Sequence, residues 1–217
     1  MRPARTGIAA AYLALCGAAL LLALLVNGCA SNPAPVTWSA PGITPKPYRN
    51  LVVFGVAANG KVRRAYEVNF VAALRARGVS ARAGHGLLPD GGLGDVKAVK
   101  RAVVGTGAQG VIITHLVGER SAQIQSRNFV NPSLSGSLYP YYQRVHGYVT
   151  EPGYYANFPM LQLETNLYDV AREKLVWSAR SQPMDPGSEK TTINEVIETM
   201  IRSLAEAGFL PKQSERF

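Results

Sequence analysis

Residues 51–57 read Leu51-Val52-Val53-Phe54-Gly55-Val56-Ala57. A short uncharged run rich in β-branched residues is the mark of a strand covered on both faces. Val111-Ile112-Ile113-Thr114-His115-Leu116-Val117 is a second run of this kind. Between the two, Asn59 is placed to cap a helix in which Tyr66, Phe70 and Leu74 recur at four-residue spacing with Val71 beside them, and Gly78 ends it after Arg75 and Arg77. A short strand, 79–83, follows, with Val79, Ala81 and Ala83 on one face. Gly84 to Gly94 reads as a loop, and Asp95 is placed to cap a second helix carrying Val96, Val99 and Val103. Strand, helix, strand, helix, strand predicts crossover connections and a sheet with helices packed on it.

Downstream, residues 160–169 alternate. Leu161, Leu163, Thr165 and Leu167 fall on one face, and Gln162, Glu164, Asn166 and Tyr168 on the other. Residues 174–181 do the same with Leu175, Trp177 and Ala179. Joined by the polar link 170–173, they predict an antiparallel hairpin with one buried face. Thr192 and Glu195 form a capping box for a last helix carrying Ile193, Val196, Ile197, Met200, Ile201 and Leu204, closed by Gly208 and Pro211. The order β-α-β-α-β-β-β-α predicts a mixed α/β sheet of about five strands with three helices. It forms a single domain over residues 50–210, followed by a tail at 211–217.

Between the third and fourth strands, residues 121–159 break the pattern. Six of the ten tyrosines fall here, among Ser, Gly, Asn and Pro, and long insertions in compact domains are commonly functional. Tyr offers a large apolar face with a polar tip at low entropic cost, which suits an interface. Tyr139, Tyr141, Tyr142, Tyr148, Tyr154 and Tyr155 are therefore partner-binding candidates, with Arg127 and Arg144 as donors to carboxylates or phosphates. Two other readings stand beside this one: a lid folded over the sheet, and a hairpin pairing 143–149 with 148–155 around Glu151-Pro152-Gly153.

The N-terminus decides location. Arg2 and Arg5 precede an uncharged apolar run from Ile8 to Val26, then Gly28 and Cys29. A basic region, an apolar stretch and a small residue at the cut are the marks of a secretory signal. The small residue directly before a cysteine resembles the site where bacterial lipoproteins are cleaved and acylated. Cys29 would become the lipidated first residue, and residues 1–28 the signal peptide. Ala30 and Ser31 include no Asp, which in the lipoproteins this resembles implies sorting to the outer membrane, with the domain in the periplasm. The other reading of residues 8–26 is an uncleaved helix of bilayer length. Residues 29–49 hold five prolines after Cys29 and read as an extended tether reaching roughly 50 Å at ~3 Å per residue, on which Trp38 and Ile43 are placed to dock.

Cleavage before Cys29 leaves 189 of the 217 residues and a balance of +7, against +9 for the whole chain. A basic exported domain favours anionic envelope partners. Nucleic acid is excluded by export and by the scatter of the charges. The two cysteines, Cys16 and Cys29, leave no disulfide for the domain.

Catalytic patterns are sparse. Gly105-Thr106-Gly107-Ala108-Gln109-Gly110 matches GxGxxG by letter but lies between a helix and the next strand, whereas dinucleotide binding needs the glycines after a strand. His85, His115 and His146 are dispersed, so no metal and no cofactor is expected. His85 with Asp90 is the most enzyme-like local pair, though a capped turn explains it better; Glu164 and Glu119 can share a sheet, but two carboxylates without a cleft are weak grounds for acid-base catalysis.

A hairpin with an Asp-containing turn before Lys174-Leu175-Val176-Trp177, after a lipobox and ahead of an amphipathic C-terminal helix, resembles small proteobacterial lipoproteins grouped as a domain of unknown function. That resemblance spans most of residues 50–210. In topology the chain is similar to the TolB amino-terminal domain and to domains of the curli-secretion and penicillin-binding-protein-activator lipoproteins. Neither resemblance implies a catalytic residue. The reading is a non-enzymatic, outer-membrane-anchored lipoprotein that binds an envelope protein or an anionic envelope polymer. A self-assembling, homo-oligomeric envelope or secretion subunit comes second, and an enzyme acting on cell-wall or lipid substrates third.

Overall fold

A six-stranded mixed sheet carries the domain. Its spatial order is β1 (Val36–Ser39), β6 (Lys174–Arg180), β5 (Met160–Asp169), β4 (Gly110–Glu119), β2 (Asn50–Val56) and β3 (Ser80–Ala83). The computed structural model describes residues 34–119, 130, 135–154, 160–182 and 191–212. The signal segment, Cys29, Arg127, Tyr155 and the tail beyond 212 lie outside them. β2 runs parallel to β3 and β4, and β4, β5, β6 and β1 are antiparallel in succession.

Among the described residues four α-helices cover the sheet. α1 (Gly60–Ala76) connects β2 to β3, with Asn59 accepting from the Lys61 and Val62 amides. α2 (Val96–Gly105) connects β3 to β4, with Asp95 accepting from Lys97. α3 (Leu138–Val149) lies within the tyrosine-rich insertion, and α4 (Thr191–Glu206) closes the chain. One face of the sheet packs against α1 and α4 through Tyr66, Phe70, Leu74, Ile197, Met200 and Leu204. The other packs against α2 and α3 through Val99, Val103, Leu138, Tyr142, Val145 and Val149. Both clusters are made wholly within residues 38–210, and burying each such side chain contributes ~1.5–3 kcal/mol.

The folded domain begins earlier than the sequence suggests. Val36–Ser39 is a strand on the edge of the sheet, in register with β6 from Val36↔Arg180 to Ser39↔Trp177. Trp38 packs on the second cluster and Ile43 on the first. Tyr48 is buried, with its hydroxyl donating to Asp169 at 2.9 Å, and Lys46 pairs with the same carboxylate at 2.9 Å. Four-residue edge strands are invisible to periodicity because a partner supplies all their hydrogen bonds.

The insertion contains a helix where none was expected, and it excludes the hairpin reading, since residues 143–149 are helical. Leu138, Tyr141, Tyr142, Val145 and Val149 follow the helical spacing and are buried. Pro140 sits in the first turn, where its missing N–H costs nothing.

The hairpin is buried on both faces rather than one: every residue from Gln162 to Asp169 is buried, because α3 covers the polar side. A bulge, Leu167↔Trp177 followed by Tyr168↔Leu175, turns Leu175 to the second cluster while Val176 and Trp177 stay in the first. The clean alternation expected of Leu175, Trp177 and Ala179 is broken there. Thr192 lies inside α4, which starts at Thr191, not at its cap.

Candidate functional site

The layer between α3 and the sheet is polar. Opposite Glu164 on β5 stands His115 of β4 on one side and Arg180 of β6 on the other. Glu164 Oε2 accepts from Arg180 Nε at 2.7 Å and from a terminal guanidinium nitrogen at 2.6 Å. Oε1 accepts from the Tyr141 hydroxyl at 2.8 Å and from Asn166 Nδ2 at 3.0 Å. Asn166 Nδ2 also donates to the Tyr141 oxygen at 2.6 Å, and His115 Nε2 lies 2.8 Å from that oxygen. The imidazole is 3.8 Å from Glu164 itself, so it meets the carboxylate through the tyrosine.

Burial by itself would raise the Glu164 pKa. The His115 ring, the Arg180 guanidinium and the Tyr141 donor outweigh it and hold the carboxyl well below its ordinary range. Burial, reinforced by Glu164, pushes the Tyr141 phenol well up. The group is an ionised carboxylate in a closed shell of donors. Glu164, His115 and Tyr141 are all buried, and substrate access is what acid-base chemistry would require of them. Glu119, the other carboxylate considered, pairs with Met160 in the ladder, at the far end of β5 from Asp169.

Three of the tyrosines proposed for partner binding are core residues instead. Tyr139, Tyr141 and Tyr142 are buried; Tyr142 donates to the Leu93 carbonyl at 3.0 Å and meets Phe54 edge-on. Their burial follows from the helix, which turns those positions to the sheet. Tyr148 and Tyr154 are half-buried, with ring centroids 4.9 Å apart. Arg144 is exposed, its guanidinium 5.2 Å from the Tyr141 ring.

His85 pairs with Glu67. Its Nδ1 lies 2.7 Å from Glu67 Oε2, which also accepts from the His85 amide at 2.8 Å, while Glu67 Oε1 accepts from the Gly55 amide at 3.0 Å. Glu67 thus ties α1 to the end of β2 and to the turn after β3.

An open cleft lies beside that tie. β2 and β4 are parallel neighbours, yet the chain leaves β2 for α1 on one face and β4 for α3 on the other. Divergence of this kind leaves a crevice at the carboxyl ends of the strands. The cleft, of about 290 Å³, is lined by residues 55–58 and Gly60 and by Tyr142, His146 and Thr150. Arg63 is the one cation lining it, at 5 % exposure. Burial and the charge of Arg63 lower the His146 pKa, so that ring is a neutral wall in a positive field. Arg63 also lines a smaller, mainly apolar pocket, with Val62, Tyr66, His115, Leu163 and Ile193. In sequence the pair Arg63-Arg64 reads as a solvated helix face, which the burial of Arg63 corrects, and Glu67 is passed over. The available signal was two charges four residues apart on the same stripe as Tyr66 and Phe70.

Among the described residues no group of three His, Cys, Asp or Glu side chains is placed to hold a metal ion. No family model matches the chain, and no curated protein matches it. Among solved structures it is similar to a single-substitution variant of the PelC dodecamer from Paraburkholderia phytofirmans, at TM-score 0.44 and 14% identity, covering 82% of this chain and 99% of that one. The PelC dodecamer in a second crystal form has TM-score 0.41 and 15% identity, over 82% and 98%.

Proposed function

We propose that this chain is an outer-membrane lipoprotein, held by acyl chains on Cys29, whose α/β domain binds an acidic envelope component without chemical turnover. The observation that supports binding is the cleft at the end of β2, where a guanidinium sits deep in a mixed polar and apolar wall. Guanidinium has five donors in a plane, matched to carboxylate and phosphate. The ionisable cluster around Glu164, by contrast, has Glu164, His115 and Tyr141 all buried. The lipobox and the absence of Asp at positions 30 and 31 support the outer-membrane anchor.

Two measurements test the reading. Intact mass of the mature protein, with and without Cys29→Ala, is expected to show a diacylglyceryl-sized increase that the substitution removes; an unmodified chain overturns the anchor. Soluble peptidoglycan fragments with free carboxylates, titrated against the domain, are expected to bind at one site. Arg63→Gln, checked for folding by its thermal transition, is expected to weaken that binding about tenfold or more, the scale of a charge-assisted hydrogen bond. Unchanged affinity in that variant overturns the cleft.

A further inference from the structure

We infer that the end of the sheet where β2, β3 and β4 begin is a second binding surface, which takes a linear polyanion bearing a carboxylate or phosphate on each repeat. The inference is independent of the cleft at Arg63 and of the anchor at Cys29.

Register collects the cations. Arg77 closes α1 just before β3, the Ser80 amide that opens β3 donates to the Arg49 carbonyl, and Asn50 opens β2 opposite Ser80. The Gln109 amide donates to the Asn50 carbonyl and the Val170 amide to the Gln109 carbonyl. Asp169 accepts from the Arg172 amide and stands opposite Lys174, which opens β6. Arg77, Arg49, Arg172 and Lys174 thus lie across the ends of β3, β2, β4, β5 and β6, a row of roughly 19 Å at ~4.8 Å per strand. Lys212 comes three residues after Phe209, whose carbonyl accepts from the Tyr48 amide at the same end. Charges scattered along the chain are gathered here because strand starts and the β5–β6 turn share one end.

The gathering leaves the two ends of the domain unequal. Arg49, Arg172, Lys174 and Lys212 are exposed and Arg77 is half-buried, and none of the five makes an ion pair among the described residues. Asp169 and Glu173 are offset by Lys46 at 2.9 Å and Lys100 at 2.7 Å. Glu206, at the close of α4, is the further exposed acid. The exposed acids Asp95, Glu151, Glu195 and Glu198 instead lie at or toward the amino ends of α2 and α4 and beyond the carboxyl end of α3, away from the row. Helix ends account for part of the pattern only. A cation beside a helix carboxyl terminus is stabilising, which explains Arg77. Lys174 is placed the other way, bridged to Ser137 directly before α3 begins, where the helix dipole disfavours a cation.

The spread of the row selects the occupant. No single carboxylate or phosphate reaches from Arg77 to Lys174, whereas a polymer charged at every repeat meets each cation in turn. Tyr48 and Tyr139 are buried, so these tyrosines give this end none of the exposed aromatic surface with which proteins rest on a bilayer.

The test uses the chain from Ala30 on, which keeps both core clusters. Polygalacturonate and polyphosphate are titrated against it at low and moderate salt. The expected result is binding of at least one polymer, weakened by salt. Arg49→Gln/Lys174→Gln is expected to lose roughly tenfold in affinity, with a shallower salt dependence. The charge-matched control Lys61→Gln/Lys97→Gln, in the first turns of α1 and α2, is expected to lose less than twofold, and thermal transitions check the folding of both. Monomeric galacturonate is expected not to compete at equal carboxylate concentration. Neither polymer bound at low salt, equal losses in the two double variants, or full competition by the monomer overturns the inference. Binding to phosphatidylglycerol vesicles with neither polymer bound overturns it in favour of a membrane surface.

Discussion

Tyr141 donates its hydroxyl to Glu164 across 2.8 Å, joining a helix inside the insertion to a strand face that alternation alone assigns to solvent. Each oxygen of Glu164 has two donors, so α3 sits on the sheet by polar registration as well as by apolar packing. Such networks are strong when complete and costly when broken.

Tyr141→Phe removes the donor to Glu164 and the acceptor shared by Asn166 and His115 while keeping the ring. The expected loss is about 2–3 kcal/mol, the cost of leaving buried polar groups short of a partner. Urea unfolding measures it as a lower midpoint at constant slope. A change below ~0.5 kcal/mol, the scatter of neutral surface substitutions, would mean the network does not bear on stability.

Acid should destabilise the domain through Glu164. Its folded pKa lies below the ordinary value of 4.5, so the unfolded chain takes up the proton first. The contribution is fully present above pH 4.5 and is lost as pH falls toward the folded value. Stability measured against pH should drop more steeply below 4.5 in the wild type than in Glu164→Gln. Parallel curves would assign the acid loss to other carboxylates.

The N-terminal edge strand is testable without substitution. The Ala40 amide donates to the Val176 carbonyl at 3.0 Å, and Val36 to Ser39 lie in the ladder. Hydrogen exchange should show Ala40 protected alongside the β6 amides. Exchange at the rate of a free chain would return residues 36–40 to the tether.

Gly110→Ala should destabilise through packing alone. A methyl there would stand 2.8 Å from Leu51 Cδ2, 3.0 Å from Tyr48 Cδ1 and 3.2 Å from Leu167 Cδ1. Overpacking of this kind costs about 1–3 kcal/mol, read as a fall in melting temperature. Gly105→Ala meets nothing within 4 Å and serves as the control. Within the GxGxxG match, packing thus accounts for Gly110 and the positive φ of 66° for Gly107.

Sequence by itself determined what is local and periodic. The buried runs at 51–57 and 111–117, the Asn59 and Asp95 caps, the hairpin of 160–181 and the stripe of the last helix each follow from neighbours within a few residues, where propensity and capping act. It also determined that Cys29 follows a signal-like segment, since that pattern is read in an extended chain. Tertiary structure decided everything that depends on a partner from far along the chain. Val36–Ser39 is a strand only because β6 offers an edge, and Tyr139, Tyr141 and Tyr142 are interior only because α3 lies on the polar face of β5. Glu164, His115 and Arg180 converge because strands distant in sequence are adjacent in the sheet. A polar face reads as exposed until another element covers it with matching donors, and one-dimensional periodicity carries no record of that cover.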